Sequence, residues 1–397
     1  MAIRVCMLVR NDCRTDYRVL KEAASLARAG YQVTVVGVHT YGPGEREERQ
    51  GFTIVRVPVA PARTPLGKAI ELFPRALRRM AAAAAATQAA VYHAHDSDTI
   101  LPAWWAARAI PGARLIYDAH EVGFYSLRES LTGFPFRLPV LTWFWDRWND
   151  RIVRRYVDAV ITVNEALAEV QAAHYGIPRP VVVMNCPPRF EPTPAMRTVL
   201  PTRLGLDPAT PIALVQGMFS PGRGDGPPLE AVVRSAALLK DGVVVILGNV
   251  GSRPEWAYLR RLAAEPPYAG RVFILPPVPP DTLLILTSGA HVGLIPMRLT
   301  GLMRLALPNK LFEYAAAGIP VITPDLPVIR PIVERFGYGV FCDFASPMAV
   351  ADAIRAVLVD ADRYAAMQAG ARAAAAVYNW ETQEVVLLDL YRRVLGR

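Results

Sequence analysis

The segment Leu307–Asp325, LPNKLFEYAAAGIPVITPD, contains residues that could bind a diphosphate and a ribose. Pro308 can stand in the first turn of a helix, where unpaired N–H groups and the positive end of the helix dipole attract anions. Lys310 adds a full positive charge at this point, and the Glu313 carboxylate, one turn further along, could accept bonds from two ribose hydroxyls. The same spacing is also typical of an ordinary capped helix with a surface Lys–Glu pair.

A glycine-rich segment, Val215–Val233, follows a predicted strand and leads into a predicted helix. Glycine at 217, 222, 224 and 226 lets the backbone approach a ligand closely, and Arg223 could hold a phosphate through two parallel N–H bonds. The spacing fits neither G-x-G-x-x-G nor a P-loop, which argues against dinucleotide and Walker sites. A flexible surface turn is the alternative interpretation.

In the first half of the chain, histidines and carboxylates follow two predicted strands. His93, His95, Asp96 and Asp98 lie in or just after the first of these strands. Asp118, His120 and Glu121 end or follow the next strand. A histidine at a strand end can donate to hydroxyls or share a proton near neutral pH. His93 alternates with Val91, so it is also expected to face the core.

These residues need elements to position them, and short apolar runs alternate with helical patterns along almost the whole chain. This alternation predicts an α/β fold with parallel sheets and helices on both faces. Strands are expected at Val5–Val9, Tyr31–Val38, Phe52–Val57, Ala90–His95, Leu115–Ala119, Ala159–Val163 and Val181–Asn185, and again at Ile212–Gln216, Val243–Gly248, Val272–Leu275, Val292–Pro296, Val321–Thr323 and Val340–Asp343. Ligands bind such sheets beyond the carboxyl ends of the strands.

A proline-rich break separates the two runs of strands. The stretch Cys186–Pro211 opposes helix and central strand alike, which favours a linker between domains. We therefore expect domains over residues 1–190 and 191–379 with a cleft between them. A final helix over residues 380–397 could pack back on the N-terminal domain.

Composition limits the class of protein. The 397 residues suit two or three domains, and 52% hydrophobic with 20% charged residues argues against disorder and coiled coil. The net charge of +9 favours an anionic partner. Four cysteines without a C-x-x-C pair argue against zinc sites and disulfides and favour a reducing cytoplasm. The first ten residues resemble a strand more than a signal peptide, and no transmembrane run is evident.

An amphipathic stretch spans Leu138–Tyr156, with aromatic and aliphatic residues on one face and arginines mainly on the others. Tryptophan and arginine at this spacing suit a membrane interface, but a helix that packs on the core would have the same pattern. The basic residues of the chain are otherwise scattered and no known reading module is present, so no nucleic-acid partner is expected.

The Leu307–Asp325 segment resembles the signature of GT-B glycosyltransferases, specifically the large retaining family four, also called group 1. Glu313, Ala316, Gly318, Pro320, Val321 and Ile322 match the second half of its pattern. The first glutamate of that pattern would fall at 305, where this chain has Leu305. The resemblance covers nearly the whole chain and implies two Rossmann-like, doubly wound domains that face a central cleft.

The resemblance also implies roles for individual residues. Glu313 would bind the ribose, and Arg223 matches one member of a basic pair that neutralises the leaving diphosphate. Gly217 stands in place of the other member, whose charge Lys310 could supply. His120, oriented by Asp118, would be the main catalytic group. The implied donor site comprises Gly217, Arg223, Asn309, Lys310, Leu311 and Glu313, and the acceptor side comprises His95, Asp96 and, with the weakest support, Asp16.

Together with these residues, the resemblance implies transfer of a sugar from a UDP- or GDP-linked donor to a hydroxyl acceptor, which could be lipid-linked, by a retaining enzyme with no metal or other cofactor. The D-x-D pattern at Asp96 and Asp98 binds manganese in the other major glycosyltransferase fold, but it is too short to predict a metal here. We expect a cytoplasmic protein that could be peripheral on the inner membrane face. A nucleotide-sugar epimerase and a non-catalytic accessory protein are the alternatives.

Overall fold

The computed structural model describes residues 2–40, 44–60, 64, 71–120, 139–221, 224–298 and 303–396. The chain divides into two units, each built on its own sheet. Residues Met1–Asn185 and Gln383–Arg397 form the first unit, and Cys186–Thr382 form the second. The C-terminal helix Trp380–Val394 therefore begins in the second unit and contributes most of its length to the first.

The first unit has an eight-stranded sheet in the order β3-β4-β2-β1-β5-β6-β7-β8. Every pairing is parallel except that of β3 with β4. The strands are β1 (Arg4–Leu8), β2 (Gln32–Thr40), β3 (Glu45–Arg49), β4 (Phe52–Val59), β5 (Val91–His95), β6 (Arg114–Ala119), β7 (Ala159–Thr162) and β8 (Val181–Val182). The helices are α1 (Tyr17–Arg28), α2 (Ala76–Ala86) after a π-helical turn (Glu71–Arg75), α3 (Ile100–Arg108), α4 (Pro139–Tyr156) and α5 (Glu165–Tyr175).

The second unit has a six-stranded parallel sheet in the order β11-β10-β9-β12-β13-β14. Its strands are β9 (Ile212–Gly217), β10 (Val243–Gly248), β11 (Val272–Leu275), β12 (Val292–Leu294), β13 (Val321–Thr323) and β14 (Gly339–Phe341). Its helices are α6 (Pro194–Arg197), α7 (Val199–Leu204), α8 (Gly226–Ser235), α9 (Ala257–Ala264), α10 (Pro280–Ser288), α11 (Lys310–Ala316), α12 (Arg330–Phe336), α13 (Pro347–Leu358) and α14 (Ala361–Val377), followed by α15 (Trp380–Val394), which continues into the first unit. Short 3₁₀ turns lie at Ala236–Leu238, Asn249–Gly251, Pro254–Trp256 and Met303–Leu305.

The predicted α/β architecture with two parallel sheets is confirmed. Each sheet has a switch point at which strands that come later in the chain add on the other side of its first strand, between β1 and β5 in the first sheet and between β9 and β12 in the second. Loops that leave neighbouring strands at this point diverge to opposite faces and leave room for a ligand. The functional residues predicted from the sequence lie at the carboxyl ends of β5, β6 and β9 or in the segments that follow β1, β5, β6, β9 and β12.

The structure corrects the expectation that Cys186–Pro211 opposes helix, because helices α6 and α7 form within that stretch. Thr193 caps α6 by accepting the N–H of Met196 at 3.3 Å, and Pro194 lies in the first turn. A proline in that position removes an N–H that has no helical partner, so it does not oppose the helix. Proline density alone was therefore a poor predictor of irregular structure.

A second difference is strand β3, which the sequence did not predict. All five of its residues are charged, EREER, so it lacks the apolar alternation by which strands are recognised. It pairs antiparallel with β4 at the edge of the sheet. Charged side chains are a common feature of edge strands because they oppose pairing with another chain.

Candidate active site

The first candidate site lies at the carboxyl edge of the first sheet. His95 pairs in register with Asp118 at the ends of β5 and β6, and the N–H of Asp96 donates to the Asp118 carbonyl at 2.9 Å. Parallel pairing thus brings together residues that are more than 20 positions apart in the chain. Four predicted residues, His95, Asp96, Asp118 and His120, share this edge.

Arg18, on α1, holds the Asp118 carboxylate with two parallel hydrogen bonds. Its Nε and Nη2 atoms donate to the two carboxylate oxygens at 2.9 Å each, and Nη1 donates to the Val183 carbonyl at 2.8 Å. Arg18 is 4% exposed and Asp118 is fully buried. Bidentate geometry fixes the orientation of the carboxylate as well as its charge.

His120 lies between two carboxylates. Its Nε2 atom is 3.0 Å from Asp118 Oδ2 and its Nδ1 atom is 3.3 Å from Asp96 Oδ2. The His120 backbone N–H also donates to Asp96 at 3.2 Å. Two acceptors on one ring need a proton on each nitrogen, so this geometry favours the imidazolium form.

The pKa shifts follow from these contacts. Burial alone would lower the pKa of His120, but the charges of Asp96 and Asp118 outweigh burial and raise it well above its ordinary value. Burial alone would raise the pKa of Asp118, but Arg18 and His120 hold it well below its usual range. Burial alone would also raise the pKa of Asp96, but the charge of His120 and its hydrogen bond lower it. The cluster therefore contains two carboxylates and two cations at neutral pH.

A second layer of polar residues lies behind this cluster. His93 and His95 are fully buried and stack with ring centroids 4.3 Å apart. His93 Nδ1 lies 2.8 Å from the hydroxyl of Tyr391, which α15 supplies. Burial lowers the pKa of His93 well below its ordinary value, so the ring is neutral. The expectation that His93 faces the core agrees with this position.

Glu22, on α1, is the remaining buried carboxylate. Its Oε1 atom is 3.1 Å from Arg18 Nε, and its side chain is fully buried. Burial, reinforced by the neighbouring charge of Asp118, raises the pKa of Glu22 to about 7 even though Arg18 opposes the shift. Glu22 therefore titrates near neutral pH in the folded protein.

A group of metal-ligand type is present in this layer. One side-chain atom from each of Glu22, His93, His95 and Asp118 lies within 4.8 Å of the others, and two imidazoles with two carboxylates form a set that zinc accepts. The Nε2 atoms of both histidines have no hydrogen-bond partner in the described part of the chain. However, the Arg18 guanidinium already lies against both carboxylates, at 2.9 and 3.1 Å. The group is thus better explained as an ion-pair network around Arg18 than as a metal centre.

Asp16, predicted on the acceptor side, caps α1. Its side chain accepts the N–H of Val19 at 3.3 Å and the side-chain amide of Asn11 at 2.8 Å. Asp98, in the loop after β5, pairs with Arg10 at 3.0 Å, and burial raises its pKa to about 6. Glu121 lies outside the described residues. Asp16 therefore caps the start of α1, and Asp98 connects the loop after β5 to the loop after β1.

The second candidate site lies at the carboxyl edge of the second sheet, after β9 and at the start of α11. Gly217 has a positive φ of 137°, and a Cβ built there would lie 3.3 Å from Lys310 Nζ. The ammonium is also 4.6 Å from the centre of the Phe219 ring. Lys310 therefore occupies the space that a side chain at 217 would fill, which is the position where the family resemblance places a basic residue.

Glu313 points back towards β9. Its Oε2 atom accepts a hydrogen bond of 2.6 Å from Gln216 Nε2, and Gln216 Oε1 lies 2.5 Å from the Thr287 hydroxyl. Asn309 is exposed, whereas the Leu311 side chain is fully buried and its N–H donates to the Pro308 carbonyl at 3.0 Å. Leu311 thus serves the core. Arg223 lies outside the described residues.

Sequence reasoning missed four residues of these sites: Arg18 as a ligand of Asp118, and Glu22, Gln216 and Thr287 altogether. Arg18 and Glu22 are four positions apart, on the face of α1 that is buried. Charged residues on a buried helix face are a usable signal, because they are almost never fully buried unless paired. Gln216 and Thr287 are neutral and lie in apolar stretches, where the sequence carries no comparable signal.

Comparison with known proteins identifies the family to which the chain belongs. Residues 16–187 match the sequence model of the glycosyl transferase 4-like domain, and residues 207–374 match that of the glycosyl transferases of group 1. The chain belongs to the group 1 glycosyltransferases. Between them, the two matches cover the strands that carry both candidate sites.

Individual relatives of this glycosyltransferase chain agree with the family. It is 28% identical over 250 residues to a D-inositol 3-phosphate glycosyltransferase of Xylanimonas cellulosilytica, covering 60% of this chain and 58% of that protein. It is 30% identical over 207 residues to a GDP-mannose-dependent α-(1-6)-phosphatidylinositol monomannoside mannosyltransferase of Mycobacterium tuberculosis, covering 51% and 53%. The chain thus spans between half and three fifths of these curated relatives.

The fold is similar to that of a solved sucrose-phosphate synthase from Thermosynechococcus elongatus. The TM-score is 0.77 at 20% identity, with 99% of each chain covered. At this identity the likeness concerns the fold alone, and it supports the GT-B architecture.

The buried Arg18–Asp118 pair generates a stability prediction. Arg18→Met removes the arginine from the buried Asp118 carboxylate, which should lower the free energy of unfolding by about 3–5 kcal/mol. Arg28→Met, on the same helix, removes an exposed pair with Glu384 and should cost no more than about 1 kcal/mol. Hydrogen exchange of the β5 and β6 amides measures both variants in the full chain. An equal decrease in the free energy of unfolding of the two variants would contradict the larger contribution expected of the buried pair.

Glu22 generates a pH prediction. The folded chain keeps a proton on Glu22 up to about pH 7, whereas the unfolded chain loses it near about pH 4.3. The folded state binds more protons in this window, so stability should fall as the pH rises through it. Glu22→Gln should show a smaller fall in Tm between about pH 5 and pH 8 than the parent and the exposed control Glu169→Gln. Identical pH profiles would rule out Glu22 as the titrating group.

Proposed function

We propose that the chain is a retaining glycosyltransferase that moves a sugar from a nucleoside diphosphate sugar to a hydroxyl acceptor and needs no metal ion. The proposal rests on two contacts at the end of β9: Lys310 lies beside Gly217, and Glu313 accepts a hydrogen bond from Gln216. These contacts place a cation and a carboxylate at the edge of the sheet where ligands bind. The family supports the same assignment.

In this proposal the second unit holds the nucleotide. The Glu313 carboxylate accepts hydrogen bonds from the ribose hydroxyls, and Lys310 lies against the diphosphate. Arg223, by resemblance, adds a second cation. Positive groups that are already in place before the reaction stabilise the negative charge that develops on the departing diphosphate. In other transferases a metal ion has this role.

The first unit supplies His120. Since its pKa is raised well above the ordinary value, the ring is protonated at neutral pH and contributes a positive charge at this edge of the sheet. A protonated imidazole cannot accept the acceptor's proton, so His120 is not the general base. Asp118 and Asp96 accept from both ring nitrogens and hold the ring in one orientation.

With His120 excluded as the general base, the departing diphosphate is the group that takes the acceptor's proton. The bond between the sugar C1 and the phosphate oxygen breaks, and its electron pair stays with the diphosphate. The acceptor oxygen bonds to C1 on the same face, and its proton passes to the departing phosphate oxygen. Leu305 stands where the family pattern has a carboxylate, which favours this route over a covalent intermediate. Configuration at C1 is retained.

The acceptor class comes from the relatives. Two are named for acceptors that contain inositol, one a phosphate and the other a phosphatidylinositol glycoside. Inositol phosphates and phosphatidylinositol glycosides are therefore the first acceptors to test. Their anionic phosphates also suit a chain with a net charge of +9.

Nucleotide binding tests the donor site. A nucleoside diphosphate at 100 times its Kd should stabilise the chain by about 2.7 kcal/mol. We expect a metal-independent rise in Tm with UDP or GDP that Glu313→Ala and Lys310→Met reduce and that the exposed control Glu334→Ala retains. With a sugar nucleotide and acceptor, proton NMR should find the product anomer matching the donor. An unchanged Tm with every nucleotide would contradict the donor site, and sugar conversion without acceptor would favour an epimerase.

We propose further that the protein is cytoplasmic and that α4 holds it on an anionic membrane surface. Trp148 and Tyr156 are 49% and 47% exposed on this helix, beside four exposed arginines, Arg147, Arg151, Arg154 and Arg155. Exposed aromatic rings enter the headgroup region, and arginines attract anionic lipids. No helix among the described residues is long and apolar enough to cross a bilayer.

Vesicle sedimentation tests the membrane proposal. Binding to phosphatidylglycerol vesicles should exceed binding to phosphatidylcholine vesicles and fall with added salt. Each basic residue near the surface contributes about 1 kcal/mol, so Arg151→Glu with Arg155→Glu should weaken binding more than tenfold. The exposed Arg261→Glu on the second unit is the control. Equal binding by all three proteins would overturn the role of α4.

A further inference from the structure

A buried hydrogen-bond chain lies behind Glu313 in the second unit. It runs from the Thr287 hydroxyl to Gln216 Oε1 at 2.5 Å and from Gln216 Nε2 to Glu313 Oε2 at 2.6 Å. Thr287 and Gln216 are both fully buried, while Glu313 is half-buried. These hydrogen bonds therefore connect the interior to the carboxylate that the proposed function assigns to the ribose.

The carboxylate determines the direction of every bond in the chain. An ionised carboxylate only accepts, so Gln216 must turn its amide N–H to Glu313 and its oxygen to Thr287. That oxygen needs a donor, and the Thr287 hydroxyl provides it. The hydroxyl is also 2.7 Å from the Leu283 carbonyl, but its single hydrogen cannot serve both acceptors fully. Removal of the hydroxyl would leave the Gln216 oxygen buried without this donor.

The backbone of Gln216 is fixed. It lies in β9, paired with Leu247 of β10, and its N–H donates to the Tyr314 hydroxyl at 3.2 Å. That hydroxyl donates in turn to the carbonyls of Leu214 or Leu294, at 3.1 and 3.0 Å. With the backbone held in this way, the remaining freedom is the orientation of the side-chain amide. Thr287 removes that freedom.

We propose that Thr287 and Gln216 are positioning residues that hold the Glu313 carboxylate in the orientation needed to bind the ribose hydroxyls, so that the site selects ribonucleotides. This inference rests on the proposed function. Neither residue contacts the ligand. Each acts through Glu313, and a free amide at 216 would turn its oxygen towards the carboxylate for part of the time and repel it.

The experiment compares two ligands in each variant. The Kd values of UDP and GDP and of their 2′,3′-dideoxy analogues are measured by calorimetry with the full chain. Thr287→Val keeps the shape and removes the hydroxyl, whereas Thr287→Ser keeps the hydroxyl. We expect Thr287→Val to weaken ribonucleotide binding about tenfold, or about 1.4 kcal/mol, and to change dideoxynucleotide binding less than twofold. Thr287→Ser should resemble the parent.

The ratio of the two Kd values within one variant separates positioning from general damage, since a partly unfolded sample affects both ligands alike. Gln216→Leu provides a second variant if Thr287→Val folds poorly, and it should likewise raise the ribonucleotide Kd relative to the dideoxynucleotide Kd. Equal weakening of both ligands, or no change in either, would overturn the positioning role. Failure of the parent chain to bind any nucleoside diphosphate would instead overturn the donor site itself.

Discussion

The buried ion pair between Arg18 and Asp118 is the interaction on which the first candidate site depends. Two charges removed from water lose several kcal/mol of hydration each, and only a close geometry with further hydrogen bonds compensates that loss. Arg18 achieves this with both carboxylate oxygens and the Val183 carbonyl. Because Asp118 stays ionised, it can in turn keep His120 protonated. A neutral Asp118 would remove one of the two charges that raise the pKa of His120.

The two units position their central residues by different means. In the first unit, alternating charges fix both the orientation and the protonation of His120. In the second, a neutral amide and a hydroxyl fix the orientation of Glu313 by the direction of their hydrogen bonds. Gly217 has no side chain, and the Lys310 ammonium lies in the space that one would fill. A positive charge from α11 is therefore located at the end of β9. Each arrangement prepares a polar group for a ligand before the ligand arrives, which lowers the cost of ordering it.

The sequence predicted the sheets and the strand-end residues because both depend on local patterns. His120 and Asp118 could be found from their place after an apolar run, and Glu313 from its helix. The pairing of Arg18 with Asp118 could not, since it joins residues 100 positions apart. The helices within Cys186–Pro211 were missed because proline was weighed without its position in the turn. Strand β3 was missed because edge strands need no apolar face.

Nitrogen NMR of the His120 ring, in protein labelled at histidine, tests the central claim most directly. The account predicts that both ring nitrogens remain protonated at about pH 7.5 and that the ring titrates well above the ordinary value of about 6.5. Asp96→Asn serves as the control that should lower this pKa without removing the Arg18–Asp118 pair. A His120 ring that is neutral at about pH 7.5 in the parent protein would contradict the account, because the ring would then be free to act as a base.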